Sequence, residues 1–319
     1  MRCVNNAPAP LYRDPIFDGA ADPMVIYNHT SGSWQMFYTQ RRANVDSPGV
    51  AYCYGSAIGV AESVDGGNTF YYIGSLALDF EPGHNTFWAP EIIFHEDVYH
   101  MYVTYIRGVR WHWSGKARIL HYTSPDLWNW VLRGDIEMDD TASVIDACVF
   151  PLPEGGLRLW YKHEQHSHIW AANSQDGVQW RSTGPVITDT AGEGPNVFAL
   201  GGFFWMIVDV WAGQAVYRSD DLTTWIRQEK NILAHPGTRP EDGAIGGHAD
   251  VVTRGDCGYV FYFTHPMRTG DYRTRVNECL PYGQVPYQMR RSSIQAAKIR
   301  VECGILLCDR NAPLDIQLA

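Results

Sequence analysis

The sequence lacks long hydrophobic runs and has no excess of positive charge. No run of 18 apolar residues occurs in its 319 residues, so we expect no membrane-spanning helix. Lys and Arg number 25 against 35 Asp and Glu, which gives a formal net charge of −10. Because an acidic chain repels phosphate backbones, we expect no nucleic-acid partner. Charged residues make up only 19% of the chain and hydrophobic residues 45%, which excludes a disordered protein.

Cysteine pairs of the metal-binding kind are also missing. The seven cysteines are scattered and odd in number, and none forms a CxxC pair, so neither a zinc site nor a redox motif is indicated. The N-terminal segment, MRCVNNAPAPLYRDP, lacks the basic and then apolar stretches of a secretory signal. The expected location is therefore the cytoplasm, or that of a mature form whose signal has been removed.

Short alternating apolar runs replace helical periodicity along the whole chain. They are bounded by Gly, Pro, Asn and Asp, which predicts many short antiparallel strands. A turn of the form Ser-x-Asp-(Gly/Leu), followed by an aromatic residue, recurs four times, at 63–70, 124–130, 174–180 and 219–225. In such a turn the Asp can accept hydrogen bonds from its own backbone, and the aromatic residue re-enters the core. Four copies predict a repeated structural unit.

A second element begins each unit, and it is an acidic or histidine-bearing turn that leads into an apolar strand. Its five copies lie at 21–26, 88–93, 145–150, 193–198 and 247–252. Five units of about four strands predict an all-β protein, a five-bladed β-propeller that forms a single domain over residues 1–319. The blades should start near residues 22, 88, 146, 193 and 248. We expect the strand over 292–299 or the N-terminal segment to close the ring. A pair of β-sandwiches is the alternative, but it does not explain five equal units.

The five turns would bring several carboxylates together on the propeller axis. The set is Asp22, Glu91, Asp146 and Glu193, with His248 and Trp88 beside them. Like charges in one pocket raise one another's pKa, and chains keep such clusters for chemistry or for a cation. Glycoside hydrolysis needs one protonated and one ionised carboxyl group on opposite sides of the scissile bond. A third carboxylate can keep the acid protonated and orient the sugar.

The order of these motifs resembles the five-bladed propeller glycosidases of family 43 and the related family 117. The motifs are Asp-Pro at 22–23, Trp-Ala-Pro-Glu at 88–91, Ile-Asp-Ala at 145–147, Glu-Gly-Pro at 193–195 and Gly-His-Ala at 247–249, and they cover nearly the whole chain. The resemblance implies Asp22 as general base, Asp146 as pKa modulator and Glu193 as general acid, with inversion at the anomeric carbon. One departure is the alanine after Asp146, where family 43 commonly has proline.

The resemblance also implies where substrate and a cation would bind. Trp88 would line the sugar subsite, and His248 would lie beside an axial water or a calcium or other divalent cation. No cofactor is required for the reaction. Glu91 is a further candidate for substrate contact, although a structural role is its alternative. Two aromatic and histidine-rich segments, 107–113 and 163–168, stand outside the family pattern, and we expect them to form specificity loops in which Trp111 and His163 bind sugar.

The expected activity is therefore hydrolysis of O-glycosyl bonds by a soluble enzyme whose partner is an oligosaccharide. Exo release of a terminal arabinose, xylose, galactose or anhydro-galactose from plant or algal oligosaccharides is the favoured form. Two alternatives stay open, and they are a non-catalytic carbohydrate-binding propeller and a retaining enzyme of the sucrose-cleaving type. The sequence leaves the sugar, the linkage and the oligomeric state undetermined.

Overall fold

Five antiparallel sheets of four strands each form the molecule in the computed structural model, which describes residues 6–136, 138, 142–270 and 285–318. Each sheet contains four strands that are consecutive in the chain. The first sheet contains β1 (Ala20–Asn28), β2 (Ser33–Gln40), β3 (Ala57–Ser63) and β4 (Tyr71–Ser75), and the second contains β5 (Thr86–His95), β6 (Val98–Ile106), β7 (Ala117–Ser124) and β8 (Val131–Asp135).

The remaining three sheets repeat this order. The third contains β9 (Val144–Pro151), β10 (Leu157–His163), β11 (His168–Ser174) and β12 (Arg181–Ile187), and the fourth contains β13 (Glu193–Leu200), β14 (Phe203–Asp209), β15 (Gln214–Ser219) and β16 (Ile226–Arg227). The fifth contains β17 (Ala249–Arg254), β18 (Cys257–Thr264), β19 (Ser293–Glu302) and β20 (Ile305–Asp309). A short 3-10 helix, η1 (Ala51–Cys53), and a single α-helical turn, α1 (Tyr287–Arg290), complete the described elements. The predicted five-bladed β-propeller is confirmed.

Apolar side chains between neighbouring blades form the core. Phe37 and Val60 of the first blade pack with Met101 and Val103 of the second, and all four are fully buried. Burial of apolar surface of this kind is the main favourable contribution to folding. Within the described part of the chain, no helix is long and apolar enough to cross a membrane.

The recurrent Ser-x-Asp turn joins the third strand to the fourth in each of the first four blades. In the second blade the carboxylate of Asp126 accepts hydrogen bonds from the backbone of Trp128 and Asn129 at 3.0 and 2.8 Å. Partial burial opposes ionisation there, but the hydrogen bonds from Asn129 and Trp128 outweigh it and lower the pKa of Asp126 to about 2. The Asp therefore stabilises its own turn, as the sequence pattern predicts.

Among the described residues, no sheet combines strands from the two ends of the chain. The segment 292–299, expected as the last strand, falls within the third strand of the fifth blade, and β20 follows it. Instead, the two terminal segments cross the junction between the fifth and first blades. Asn68 exchanges two hydrogen bonds with the backbone of Ile316, at 2.6 and 2.9 Å, and the carboxylate of Asp250 accepts one from the backbone of Val25 at 2.8 Å.

A β-bulge interrupts the start of the inner strand in four blades. The pairing register shifts at 21–24, 88–91, 145–148 and 193–196. The second residue of each bulge has a positive φ, and these residues are Asp22, Ala89, Asp146 and Gly194, at 48°, 44°, 58° and 56°. Asp adopts this left-handed conformation more readily than most residues. The bulge bends the strand and re-aims its side chains toward the axis.

In four of the five blades the fourth position of the equivalent segment holds a polar side chain that faces the next blade, whereas in the first blade it is Met24. The four polar residues are Glu91, Cys148, Asn196 and Asp250, and we call them the inter-blade ring. Glu91 Oε1 accepts a hydrogen bond from Val149 N at 2.8 Å, and Asn196 Nδ2 donates to Asp250 Oδ1 at 2.9 Å. Burial raises the pKa of Glu91 well above its usual value, and the nearby Asp250 adds to this effect. Glu91 thus binds a neighbouring strand, which is the structural role that the sequence left open as the alternative to sugar contact.

Candidate active site

A pocket of about 530 Å³ opens where the inner strands begin, and all five blades line it. Five residues that were predicted at the axis face it together, and they are Asp22, Trp88, Asp146, Glu193 and His248. They come from the starts of five different inner strands, so the fold brings together residues that are up to 226 positions apart (248 − 22).

Asp22 lies in the pocket wall beside a buried arginine. Arg41 donates from one terminal nitrogen to both carboxylate oxygens of Asp22, at 3.2 and 3.3 Å. The guanidinium also lies over the ring of Phe263, 4.8 Å from its centre. This arginine lies just after β2. Asp14, which is also followed by a proline, is buried elsewhere and accepts hydrogen bonds from the side chains of Tyr38 and Gln40, which is a structural role.

Asp146 and His248 lie at the centre of the charged cluster. Asp146 Oδ2 accepts a hydrogen bond from Gly194 N at 3.1 Å. His248 Nδ1 is 3.9 Å from both Asp146 Oδ2 and Asp22 Oδ1. Burial, together with the charges of Glu193 and Asp22, raises the pKa of Asp146 to about 7 against the opposing effect of His248. Burial alone would lower the pKa of His248, but Asp146, Asp22 and the other carboxylates outweigh it and raise that pKa.

Glu193 is the most exposed of the three predicted catalytic carboxylates. Its side chain is 28% exposed, against 7% for Asp22 and Asp146. Lys162 Nζ donates to its Oε2 at 2.9 Å, and the indole Nε1 of Trp211 donates to its Oε1 at 3.0 Å. Each carboxylate oxygen therefore has its own donor, and the group can still be reached from the pocket.

A fourth carboxylate, Asp209, was not predicted from the sequence. It is the last residue of β14 and pairs directly with Glu193 across the β13–β14 ladder. It is buried, and its Oδ1 accepts a hydrogen bond from the backbone of Trp211 at 2.8 Å. Burial, reinforced by the charge of Glu193, raises the pKa of Asp209 to about 7. The only signal in the sequence is an acidic residue at the end of an apolar strand, at 203–209.

Two more predicted sugar contacts lie outside the pocket lining, and a neighbour of each faces it instead. Trp111 packs against the ring of His112 at 4.3 Å, whereas Trp113 lines the pocket and is 54% exposed. His163 is buried and stacks on the ring of Trp170 at 4.5 Å, whereas Lys162 reaches the pocket. Lys162 and His163 are adjacent residues of β10 and point to opposite faces, so a shift of one position decides which of these two side chains reaches the pocket.

An aromatic wall lines the side of the pocket that the second blade forms. The indole of Trp88 donates to the backbone carbonyl of Cys53 at 2.7 Å, which fixes its ring. Tyr54 and Trp113 lie 4.9 and 6.1 Å from the centre of that ring. Flat, fixed aromatic faces suit the C–H faces of sugar rings.

The axial residues do not fit a calcium site. Calcium takes six to eight oxygen ligands. Among the residues that the structure describes, no group of three or more His, Cys, Asp or Glu side chains is arranged to hold a metal ion, and this includes the 163–168 segment. At the axis, the basic partner of Asp22 and Asp146 is the imidazole of His248. We therefore derive no step that passes through a metal.

Comparisons with known proteins agree with this geometry. Residues 71–278 match the model of the family described as "Glycosyl hydrolases family 43". No curated protein matches the chain. Among solved structures, a thermostable family-43 glycoside hydrolase is 18% identical, with a TM-score of 0.66 over 95% of this chain and 97% of that one.

Two further structures have the same fold. An exo-1,5-alpha-L-arabinanase from a bovine ruminal metagenomic library is 15% identical, with a TM-score of 0.61 over 93% of this chain and 99% of that one. A GH43_1 enzyme from Xanthomonas citri, solved with xylotriose, is 13% identical, with a TM-score of 0.65 over 96% and 94%. At these identities the likeness concerns the fold.

Proposed function

The chain belongs to glycosyl hydrolases family 43 and is a glycosidase, and from this premise we propose that it releases a terminal sugar from an oligosaccharide with inversion at the anomeric carbon. The observation that carries the proposal is the meeting of Asp22, Asp146 and Glu193 in one pocket. Asp22 acts as the general base, Glu193 as the general acid, and Asp146 orients the sugar and influences the proton on the acid.

Asp22 removes a proton from the attacking water in this mechanism. A general base must be ionised and held in one orientation. Arg41 meets the second need, because it donates to both oxygens of Asp22, and its own charge is buried beside the carboxylate. In an inverting enzyme the base and the acid flank the sugar, and a water molecule fits between the base and the anomeric carbon.

Glu193 donates a proton to the departing glycosidic oxygen. Asp146 and Asp209, whose carboxyl groups lie near Glu193 and feel its charge, form with it a cluster that supplies that proton. Because the pKa values of Asp146 and Asp209 are raised to about 7, the cluster retains protons up to neutral pH. Glu193 is the member of this cluster that the leaving group can approach most easily.

Action at a chain end is favoured by the shape of the pocket. Residues from all five blades surround it, and the aromatic wall of Tyr54, Trp88 and Trp113 closes one side. A cavity walled on every side accepts the end of a chain, whereas an internal linkage needs an open cleft. Two cations of the lining, Arg41 and Lys162, are paired with carboxylates, and the aromatic wall offers neutral faces. This lining suits a neutral sugar such as arabinose, xylose, galactose or anhydro-galactose.

The test compares the parent enzyme with Glu193→Ala on aryl glycosides whose leaving groups differ in basicity. A sugar panel first finds the substrate. We expect Glu193→Ala to lose most activity on poor leaving groups and to keep it on activated ones, which need no protonation. Proton NMR of the first product should show the anomer opposite to that of the substrate.

Glu164→Ala is the matched control, because Glu164 also lies beside Lys162, with Oε1 at 3.0 Å from Nζ. It should not show the leaving-group dependence. Equal losses of Glu193→Ala on all leaving groups would contradict the acid assignment, and retention of configuration would contradict inversion. Sugar binding by a parent protein that turns over no member of the panel would favour the carbohydrate-binding alternative.

A further inference from the structure

The loop between β14 and β15 has an unusual conformation next to the proposed acid. It contains residues 210–213 and is closed by a hydrogen bond from Val210 N to Gly213 O at 3.2 Å. Trp211 has a φ of 55°, in the left-handed region that a bulky side chain rarely adopts. Its backbone N–H donates to Asp209 Oδ1 at 2.8 Å, so a buried carboxylate holds the strained residue in place.

This conformation directs the indole of Trp211 at Glu193. Nε1 donates to Glu193 Oε1 at 3.0 Å. The ammonium of Lys162, which donates to the other oxygen of Glu193, lies 5.3 Å from the centre of the Trp211 ring. Strain that the surroundings maintain next to reactive groups is typical of functional sites. Glu193 and Asp209 are paired across the β13–β14 ladder. The residue that anchors Trp211 therefore lies directly opposite the proposed acid to which Trp211 donates.

We propose that Trp211 is a positioning residue that fixes the orientation of Glu193 for proton donation, and that Asp209 acts through Trp211. This inference rests on the function proposed above. An indole N–H can only donate, so it holds Oε1 as an acceptor whether Glu193 is ionised or protonated. The acid's proton is thereby directed to Oε2.

Trp211→Phe separates the indole hydrogen bond from the aromatic surface. The ring is largely kept, so a role as a sugar platform would survive, but the donor to Glu193 is lost. A hydrogen bond to an ionisable group makes a larger contribution than one between neutral groups, so we expect kcat on poor leaving groups to fall about tenfold or more. On activated leaving groups, which need no acid, kcat should change little.

Trp113→Phe is the matched control, since Trp113 is an exposed tryptophan of the same pocket whose ring contacts Tyr54 and Trp88. We expect it to change KM to the same extent for every leaving group. At pH 5, where Asp146 and Asp209 hold their protons and the proton supply does not limit the rate, Asp209→Ala should reproduce the leaving-group dependence of Trp211→Phe. At that pH the double variant should be no worse than the more severe single one, because both act through one contact. Circular dichroism and urea unfolding check that each variant is folded.

Two outcomes would overturn the inference. One is that Trp211→Phe lowers kcat equally for all leaving groups or changes only KM. The other is that the effects of Trp211→Phe and Asp209→Ala add. If Glu193→Ala itself lacks leaving-group dependence, the acid assignment fails and the inference fails with it. If only Trp211→Phe lacks it, Glu193 remains the acid and the positioning role alone is refuted.

Discussion

Asp250 of the inter-blade ring connects the last blade to the first, and its replacement tests the closure of the propeller. Its carboxylate accepts hydrogen bonds from Val25 N and Asn196 Nδ2, at 2.8 and 2.9 Å. Burial raises the pKa of Asp250 from 3.8 to about 6, although these hydrogen bonds oppose the shift. In Asp250→Asn the amide oxygen can still accept from Val25. The side-chain amide of Asn196, whose Oδ1 is buried and unpartnered, can flip so that this oxygen accepts a hydrogen bond from the NH2 group introduced at position 250.

The magnitude follows from the shift in pKa. A carboxyl group whose pKa is raised in the folded state stabilises the protein below its unfolded pKa, and this contribution disappears as the pH rises through the folded pKa. For values of 3.8 and about 6, the contribution at pH 5 is about 1.4 kcal/mol larger than at pH 8. Asparagine does not titrate. The free energy of unfolding of the parent, relative to Asp250→Asn, should therefore rise by that amount between pH 8 and pH 5.

Urea unfolding followed by tryptophan fluorescence at the two pH values measures this difference. Asp256→Asn, an exposed aspartate of the same blade, is the control and should leave the difference between pH values as in the parent. Asp250→Ala leaves Val25 N–H and the Asn196 amide without an acceptor, which costs about 3 kcal/mol relative to Asp250→Asn at both pH values. If parent and Asp250→Asn shift together between pH 8 and pH 5, the carboxyl group does not titrate there and the reasoning is refuted.

Three further predictions concern the pocket and its surroundings. Because Asp146 and Asp209 lose their protons near pH 7, kcat/KM should fall as the pH rises through that value. Asp209→Asn should move this descending limb of the pH–rate profile to lower pH. An unmoved limb would exclude Asp209 from the cluster. Exhaustive dialysis against EDTA should leave kcat unchanged, since His248 occupies the axis, and a loss reversed by Ca²⁺ alone would contradict this reading. Glu91→Gln should leave KM unchanged, with unfolding at pH 8 no easier than in the parent, because Glu91 is a buried strand contact; a raised KM would restore it to the sugar site.

The fold and the main carboxylates could be predicted because their signals repeat. Five turns of similar composition, each followed by an apolar strand, reveal both the number of blades and the start of each inner strand. Asp22, Asp146 and Glu193 lie at these starts, so predicting the strands also predicted that they would meet. The capping role of residues such as Asp126 followed from the chemistry of one short turn.

The positions of the other predicted side chains depend on details of strand register that composition does not encode. In the structure Trp88 occupies the place equivalent to Glu193, and Glu91 the place equivalent to Asp250, so the acidic residue of that motif faces a neighbouring blade. Lys162 and His163 are consecutive polar residues at the end of a strand, and nothing in the sequence says which one faces the axis. Asp209 ends a second strand rather than an inner one, and only the pairing with Glu193 reveals it.

The β-bulges also separate two properties that enzymes often have to change together. The carboxylates proposed to react, Asp22 and Asp146, lie at bulges of the inner strands, whereas Trp113 belongs to the connection between β6 and β7. That connection can be lengthened, shortened or exchanged without moving a strand that carries Asp22 or Asp146. We therefore expect that libraries in which only residues 107–116 are varied will yield variants with a different sugar preference and the same hydrolytic reaction.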